Sequence, residues 1–455
     1  MVRLGKLAGL GLLGILAMLA GCQQAPTNLP LVSPDVLAKA DLAYYWQQHY
    51  RPDAGETVQK LWRLDENLYA LTSQGRLICL DAAAGTLRWS TKVATAAQLV
   101  FAPCHADSVV LSASGVREVL QAQPEAQPAR PIPAVIINTI TRVLVLDRRS
   151  GQVRREIDLK FAANTPGSTD GRYFYVGSIN GSFYAINLST GLADWEMSGG
   201  DMLSVRPVIF ERRLYVASQS GKFMAVAPDA DSKHLWAEAT DGPLTAEFHV
   251  DNRGCFVPSQ DYHMYCYDFV TGQELWSYLA QGPLLSDVQV GQRSVYQYAR
   301  GDRFYALDIA TGRKRWDNRQ ARTVVAVLSP NILALTENRH LLVLDEISGQ
   351  ALMELPMTGL DHFVPNAEMG SIFATSADGH FVCIRAKGAG HLSAKILTGK
   401  ESPVTASAPA SKPASAPAAE PAEAAPAAPA ATETPAAPAA SEATPAAEPA
   451  VPSLN

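Results

Sequence analysis

Six cysteines and nine histidines are the side chains with which this 455-residue chain could hold a metal or a redox group. Their spacing argues for neither. No two histidines stand four apart and no Cys-x-x-Cys pair occurs, so the local zinc patterns are missing. "FAPCH" at 101–105 has Phe101 where covalent haem attachment needs the first cysteine. There is no Gly-x-Ser-x-Gly elbow and no glycine-rich phosphate loop. One group is less bland. Glu247 and His249 stand two apart in "ATDGPLTAEFHVDNRG" (239–254), so on a strand both face the same side. Arg206, in "SVRPV", holds a similar place about forty residues earlier. Together the three predict a polar channel mouth, against the plainer alternative of solvated residues paired with one another. The expectation is no catalytic residue, no metal, no cofactor and no enzyme.

Cys22 is of another kind. Arg3 and Lys6 precede an apolar run from Leu7 to Leu19, too short to span a bilayer comfortably as a retained helix. The run ends in "LAGC" (19–22), which resembles a bacterial lipobox. The resemblance implies cleavage before Cys22 and acylation of its thiol and new amino terminus, a firm anchor because several chains insert together. Gln23 follows, where Asp favours inner-membrane retention in well-studied envelopes, so the outer membrane is expected.

The positioning elements come from a repeat. Residues 305–316, "YALDIATGRKRW", place Gly four and Trp eight residues after Asp308. Asp81, Asn187 and Asp268 anchor complete copies with Gly85 and Trp89, Gly191 and Trp195, and Gly272 and Trp276; Asp308 has Gly312 and Trp316. Asp147 and Asp345 keep the glycine but have Arg155 and Met353 at the tryptophan place. Ala227 (with Trp236 one residue late) and Arg385 mark degraded copies. One interval, from 81 to 147, is long and holds the Pro/Gln/Ala-rich stretch 114–133, read as a surface insertion; the rest are close to 40. Inside each unit, alternating apolar residues flank a polar turn, as in "LYVASQSGKFMAV" (214–226). Four strands per unit and eight units predict an all-β, eight-bladed β-propeller.

On these spacings, the stretch 57–398 resembles the PQQ-like repeat family. With the lipobox, the chain is similar to the lipoprotein branch of that family that serves the outer-membrane β-barrel assembly machinery. That resemblance implies a periplasmic, membrane-tethered protein-binding scaffold. The quinoprotein dehydrogenases of the same family carry an adjacent Cys-Cys pair over the quinone and a Ca²⁺ site, and this sequence has no Cys-Cys. A PQQ-binding oxidoreductase and a small-ligand sensor using Arg206, Glu247 and His249 stay open as alternatives.

The recurring residues read as structure. Trp89, Trp195, Trp236, Trp276 and Trp316 are expected to pack between neighbouring blades, since one indole buries about 150–250 Å². Each Asp or Asn caps its turn. Cys79, Cys266 and Cys383 replace Ala or Val two residues before an anchor, as small hydrophobes do. Cys255 and Cys266 fall about one residue out of register, which points their side chains to opposite faces and argues against a bridge.

The expected organisation is a signal peptide at 1–21, a linker with one helix at 22–56, the ring at 57–398 and a tail at 399–455. Ser33-Pro34-Asp35 starts that helix and "VLAKADLAYYWQQHY" continues it. The tail is Ala/Pro/Glu-rich and is expected to be a disordered tether. Residues 401–455 hold six Glu against one Lys, which is −5 of the formal −6. The remainder is near neutral and offers nothing to nucleic acid.

Overall fold

The computed structural model describes residues 31–111, 130–229 and 234–398. The leader 1–21, the lipidation position Cys22, most of the insertion at 114–133 and the tail 399–455 lie outside the described residues.

The repeat builds its structure from one turn. At Asp308, the side chain accepts from Thr311 N–H at 3.0 Å, and the Gly312 N–H donates to the Asp308 carbonyl at 2.8 Å. The same cap closes at Asp81, Asp147, Asn187, Asp268 and Asp345. Gly312 has φ +68°, a left-handed conformation that disfavours any Cβ. A second reason for glycine is across the blade boundary. A Cβ there would lie 2.4 Å from the Trp276 ring, and Gly85, Gly151, Gly272 and Gly349 lie as tightly against Trp46, Trp89, Trp236 and Trp316. The indole N–H of Trp276 donates to the Ile309 carbonyl at 3.1 Å in that same turn. Trp46, Trp89 and Trp316 bond to Ala82, Arg148 and Glu346 in the same way. These four tryptophans are thus stacked on, and hydrogen-bonded to, the next blade's turn, whereas Trp236 stacks on Gly272 with its buried Nε1 unbonded among the described residues.

Eight four-stranded antiparallel sheets follow. Blades one to seven occupy 58–92, 104–158, 168–198, 208–239, 249–279, 289–318 and 321–356, each running from an inner to an outer strand. The apolar clusters lie between blades. One joins Tyr69, Cys79 and Trp89 of blade one to Val135, Leu144 and Leu146 of blade two. The cysteine column has a steric cause. Cys79, Ala185, Ala225, Cys266 and Ala306 stand opposite Trp89, Trp195, Trp236, Trp276 and Trp316, whereas Val145 and Val343 face Arg155 and Met353. A small residue fits where an indole crosses it, and a larger one fills the space where none does. Cys79, Cys104, Cys255, Cys266 and Cys383 are all buried free thiols. Cys255 pairs with Tyr267 and Cys266 with Phe256, one residue out of register.

Units without a complete motif are patched. The Arg155 guanidinium donates to the carbonyls of Leu188 (2.9 Å) and Ser189, taking the place of the indole N–H. Trp195 belongs to the blade before the degraded copy at Ala227, and its buried Nε1 has no hydrogen-bond partner among the described residues. Beside Met353, the gap is filled by Leu37, Val36 and Leu42 from the N-terminal segment.

That segment corrects the expectation for 22–56. The helix covers only Pro34–Ala38, with Ser33 accepting from Asp35 N–H as its cap. Asp41, at φ 56°, then turns the chain into a strand, Leu42–His49. This strand pairs with His380–Ala386 and completes blade eight, whose other strands are His362–Phe363 and Ser371–Thr375. A partner strand awaiting its fourth member outweighs the helical pattern of "LAKADLAYYW", and aromatic residues suit the strand. Trp46 stands opposite Cys383, in the place the last unit leaves empty. A further four-residue helix, Ala394–Leu397, packs with Trp46 and Phe373 at the same boundary.

Gly301 and Gly312 separate the two demands on glycine, because both have positive φ but a Cβ on Gly301 would meet nothing within 4 Å. Gly301→Ala should cost about 1–2 kcal/mol for backbone conformation. Gly312→Ala should cost a further 1–3 kcal/mol or so for crowding the indole. Denaturant unfolding of the two variants checks the difference; equal losses would contradict the stacking role.

Candidate functional site

A connection from the outer strand of one blade to the inner strand of the next carries the chain from rim to centre. In blades four to six these connections share a pattern in which Leu203, Leu244 and Leu284 are buried anchors. The inner strands then pair Val208 with Tyr215, His249 with Phe256 and Gln289 with Tyr296 at matching positions. Two residues upstream of these, Arg206, Glu247 and Asp287 therefore occupy one equivalent site on three successive blades. The buried leucine holds the connection down and the polar residue emerges into the channel.

The channel at this level is a cavity of 630 Å³, lined by Trp62, Arg63, Arg206, Glu247, His249, Asp287, Gln289, Asn366 and Glu368 together with Pro103 and Val364. Arg206 reaches across to the lead of blade two, donating to the carbonyls of Pro103 at 3.1 Å and Ala102 at 3.4 Å. Its Nε lies 3.7 Å from a Glu247 carboxylate oxygen. That distance permits attraction between the charges but exceeds a direct hydrogen bond. The Glu247 backbone N–H donates to Asp287 at 2.8 Å. His249 bonds to Asp251 at 3.2 Å, and Asp251 also holds Arg253 at 2.5 Å. Gln289 accepts from Val324 N–H at 2.8 Å and donates to the Val324 carbonyl at 2.7 Å, tying blade six to blade seven. Arg63 is held by the Leu397 carbonyl at 3.0 Å.

The electrostatics are those of charge confined by protein. The Glu247 side chain keeps 45% of its surface, open to channel water but ringed by the inner strands. This confinement pushes its carboxyl above the ordinary range; Arg206 opposes the shift and Asp287 adds to it. Asp287 is raised by the same confinement, opposed by the Glu247 N–H and by Arg206. Burial would also raise Asp251, but the bonds from His249 and Arg253 win and hold it far below the usual range. The arrangement suits binding of a polar or cationic group at the mouth.

Of the residues expected from sequence, Arg206, Glu247 and His249 all line this cavity. Arg206 and Glu247 form an ion pair, while His249 turns to Asp251. Asp287, Gln289, Arg63 and Glu368 were not expected. The signal for Asp287 was present: "DGPLTAE" and "QGPLLSD" end on Glu247 and Asp287 in the same register. Arg63 and Glu368 come from blades one and eight, where the connections have no such motif. Trp89, Trp236, Trp276 and Trp316 are buried at blade boundaries, away from the cavity, and Trp195 is partly buried at another. Cys22 lies outside the described residues.

The family model described as outer membrane protein assembly factor BamB matches residues 40–127, 139–242 and 224–420. Among solved structures, the crystal structure of BamB from Moraxella catarrhalis is similar with a TM-score of 0.57 at 16% identity, covering 77% of this chain and 99% of that one. The computationally designed Ika8 protein is similar at a TM-score of 0.55 and 13% identity, covering 74% of this chain and 98% of that one. Both are likenesses of fold. No curated protein matches.

Confinement of Glu247 and Asp287 has a pH signature. Their folded-state proton affinity exceeds that of the unfolded chain, so the native state binds the additional protons and stability falls as pH rises out of the carboxylate range. Glu247→Gln and Asp287→Asn should therefore raise the melting temperature relative to the parent at pH 7 and leave it nearly unchanged at pH 4. Thermal melts at both pH values test this; a difference independent of pH would contradict it.

Proposed function

Because this chain belongs to the family of the outer membrane protein assembly factor BamB, we propose that it is a non-enzymatic protein-binding scaffold of the cell envelope. It is tethered through acylated Cys22 to the periplasmic face of the outer membrane and works in outer-membrane protein assembly. The observation that carries this reading is the family match, which spans nearly the whole ring. The geometry supports it in two ways. First, the blades are locked to one another by stacked indoles, so the ring presents its loops on a rigid frame, as a docking surface requires. Second, Arg206, Glu247 and Asp287 place both signs of charge at one mouth of the channel, on the face where the rim-to-centre connections cluster. Charge set on a rigid frame steers and orients a partner. The lipid anchor and the Pro/Ala-rich tail then act by location, raising the effective concentration of the ring near membrane-bound partners.

The connections at 240–248 and 280–288 share a face with the turns between second and third strands, as the Thr240 N–H to Gly221 carbonyl bond (2.9 Å) shows. The capped turns at the Asp anchors lie on the opposite face, where Ile347 is 73% exposed. Photo-crosslinkers at Pro243 and Pro283, with Ile347 as the opposite-face comparison, distinguish the two in native envelopes. Adducts with components of the β-barrel assembly machinery from Pro243 and Pro283, at several-fold higher yield than from Ile347, are expected. Absence of such adducts from both faces would overturn the assignment.

A further inference from the structure

The strand that closes the ring brings together a set of potential ligands from the two ends of the described chain. His49 is near the end of the closing strand Leu42–His49 and stands directly opposite His380, the first residue of His380–Ala386. Their imidazoles lie face to face with centroids 3.7 Å apart. Asp378 sits in the tight turn just before His380, and its carboxylate is 3.3 Å from His380 Nε2. The His49 Nε2 is 3.3 Å from the Asp378 carbonyl. One ligand atom from each of the three side chains falls within 4.8 Å of the others. Gly379, at φ +90°, makes this turn possible and seats it on the Tyr50 carbonyl. The Tyr50 N–H in return donates to the Gly379 carbonyl at 3.0 Å.

We propose that His49, Asp378 and His380 form a binding site for a divalent transition metal of the zinc class, which pins the closing strand to blade eight. Two imidazoles and one carboxylate are the donors that suit zinc, copper or nickel rather than calcium or magnesium. Metal–ligand bonds of about 2.0–2.2 Å require the three ligand atoms to approach one another further and the two stacked imidazoles to tilt apart, so that their in-plane lone pairs converge on the ion. The side chains have room to do so, since Asp378 is exposed and His49 and His380 are only half-buried. Three protein ligands leave a coordination position to water, as expected for a surface site. Ser376 supports the set from behind, its hydroxyl bonding to the other Asp378 oxygen and accepting from the His380 N–H. The residues lie at opposite ends of the ring's sequence, which is why no local His spacing advertises the site. The inference is independent of the proposed function. It concerns how the ring is held shut rather than what docks on it.

Titration calorimetry with ZnCl₂ on the chelator-treated full chain tests the site. One zinc per chain is expected, with a rise in melting temperature of about several degrees at saturating metal. His49→Ala and His380→Ala should each weaken binding by about 100-fold or more and abolish the melting shift. Asp378→Asn should weaken it by about tenfold. Melts of the metal-free variants, expected within a degree or so of the metal-free parent, show that the fold is retained. Undiminished binding in the His49→Ala/His380→Ala double variant, or absence of saturable binding to the parent, would overturn the proposal.

Discussion

An indole stacked on a glycine across a blade boundary is the contact on which the rest of this structure depends. A four-stranded blade is apolar on both faces and cannot stand alone in water. Its stability is therefore that of its two boundaries, and five boundaries use the same device, glycine at positive φ with an indole over it; in four of them the indole N–H also bonds to the turn's carbonyl. The Asp or Asn that caps the turn sets the glycine in place. The small residue opposite each tryptophan makes room for the ring. Where the device is missing, an arginine bonds to the same carbonyls or an N-terminal helix fills the gap.

A ring of such boundaries has to close. Here closure is not achieved by the last unit continuing into a fourth strand but by the chain's own beginning, which supplies Leu42–His49 with Trp46 in the indole place. The arrangement couples the two ends of the sequence in one sheet. Loss of this strand would remove Trp46 and its bond to Ala82 and so open the boundary between blades eight and one.

The ring was legible in sequence because its cause is local and periodic. Asp308, Gly312 and Trp316 advertise a turn and a boundary within nine residues, and repetition multiplies the signal. The closing strand was illegible for the opposite reason. Residues 33–48 carry a good helix start, a stripe of Leu37, Ala40 and Tyr44, and no anchor of their own; only the vacancy after Arg385 called for them. Cys383 held a clue, since cysteine or alanine in that column marks a tryptophan opposite, and its unit has none. The channel mouth falls between these extremes. Arg206, Glu247 and His249 could be placed on inner strands by the repeat, and Asp287 by the forty-residue echo. The ion pairing of Arg206 with Glu247 and the bond of His249 to Asp251 depended on side-chain reach, which periodicity does not encode. The general lesson concerns division of labour: positions that repeat build the frame, and the position that varies as Arg, Glu and Asp around the frame carries its chemistry.

Hydrogen exchange on Trp46→Ala tests this account most directly, because it removes the boundary contact at the one place where the chain's ends meet. Faster exchange is expected first in 42–49, 380–386 and the turn at 81–85, with blades three to six protected as in the parent. Exchange that accelerates uniformly around all eight blades, or not at all, would contradict a ring held boundary by boundary and closed by its N-terminal strand.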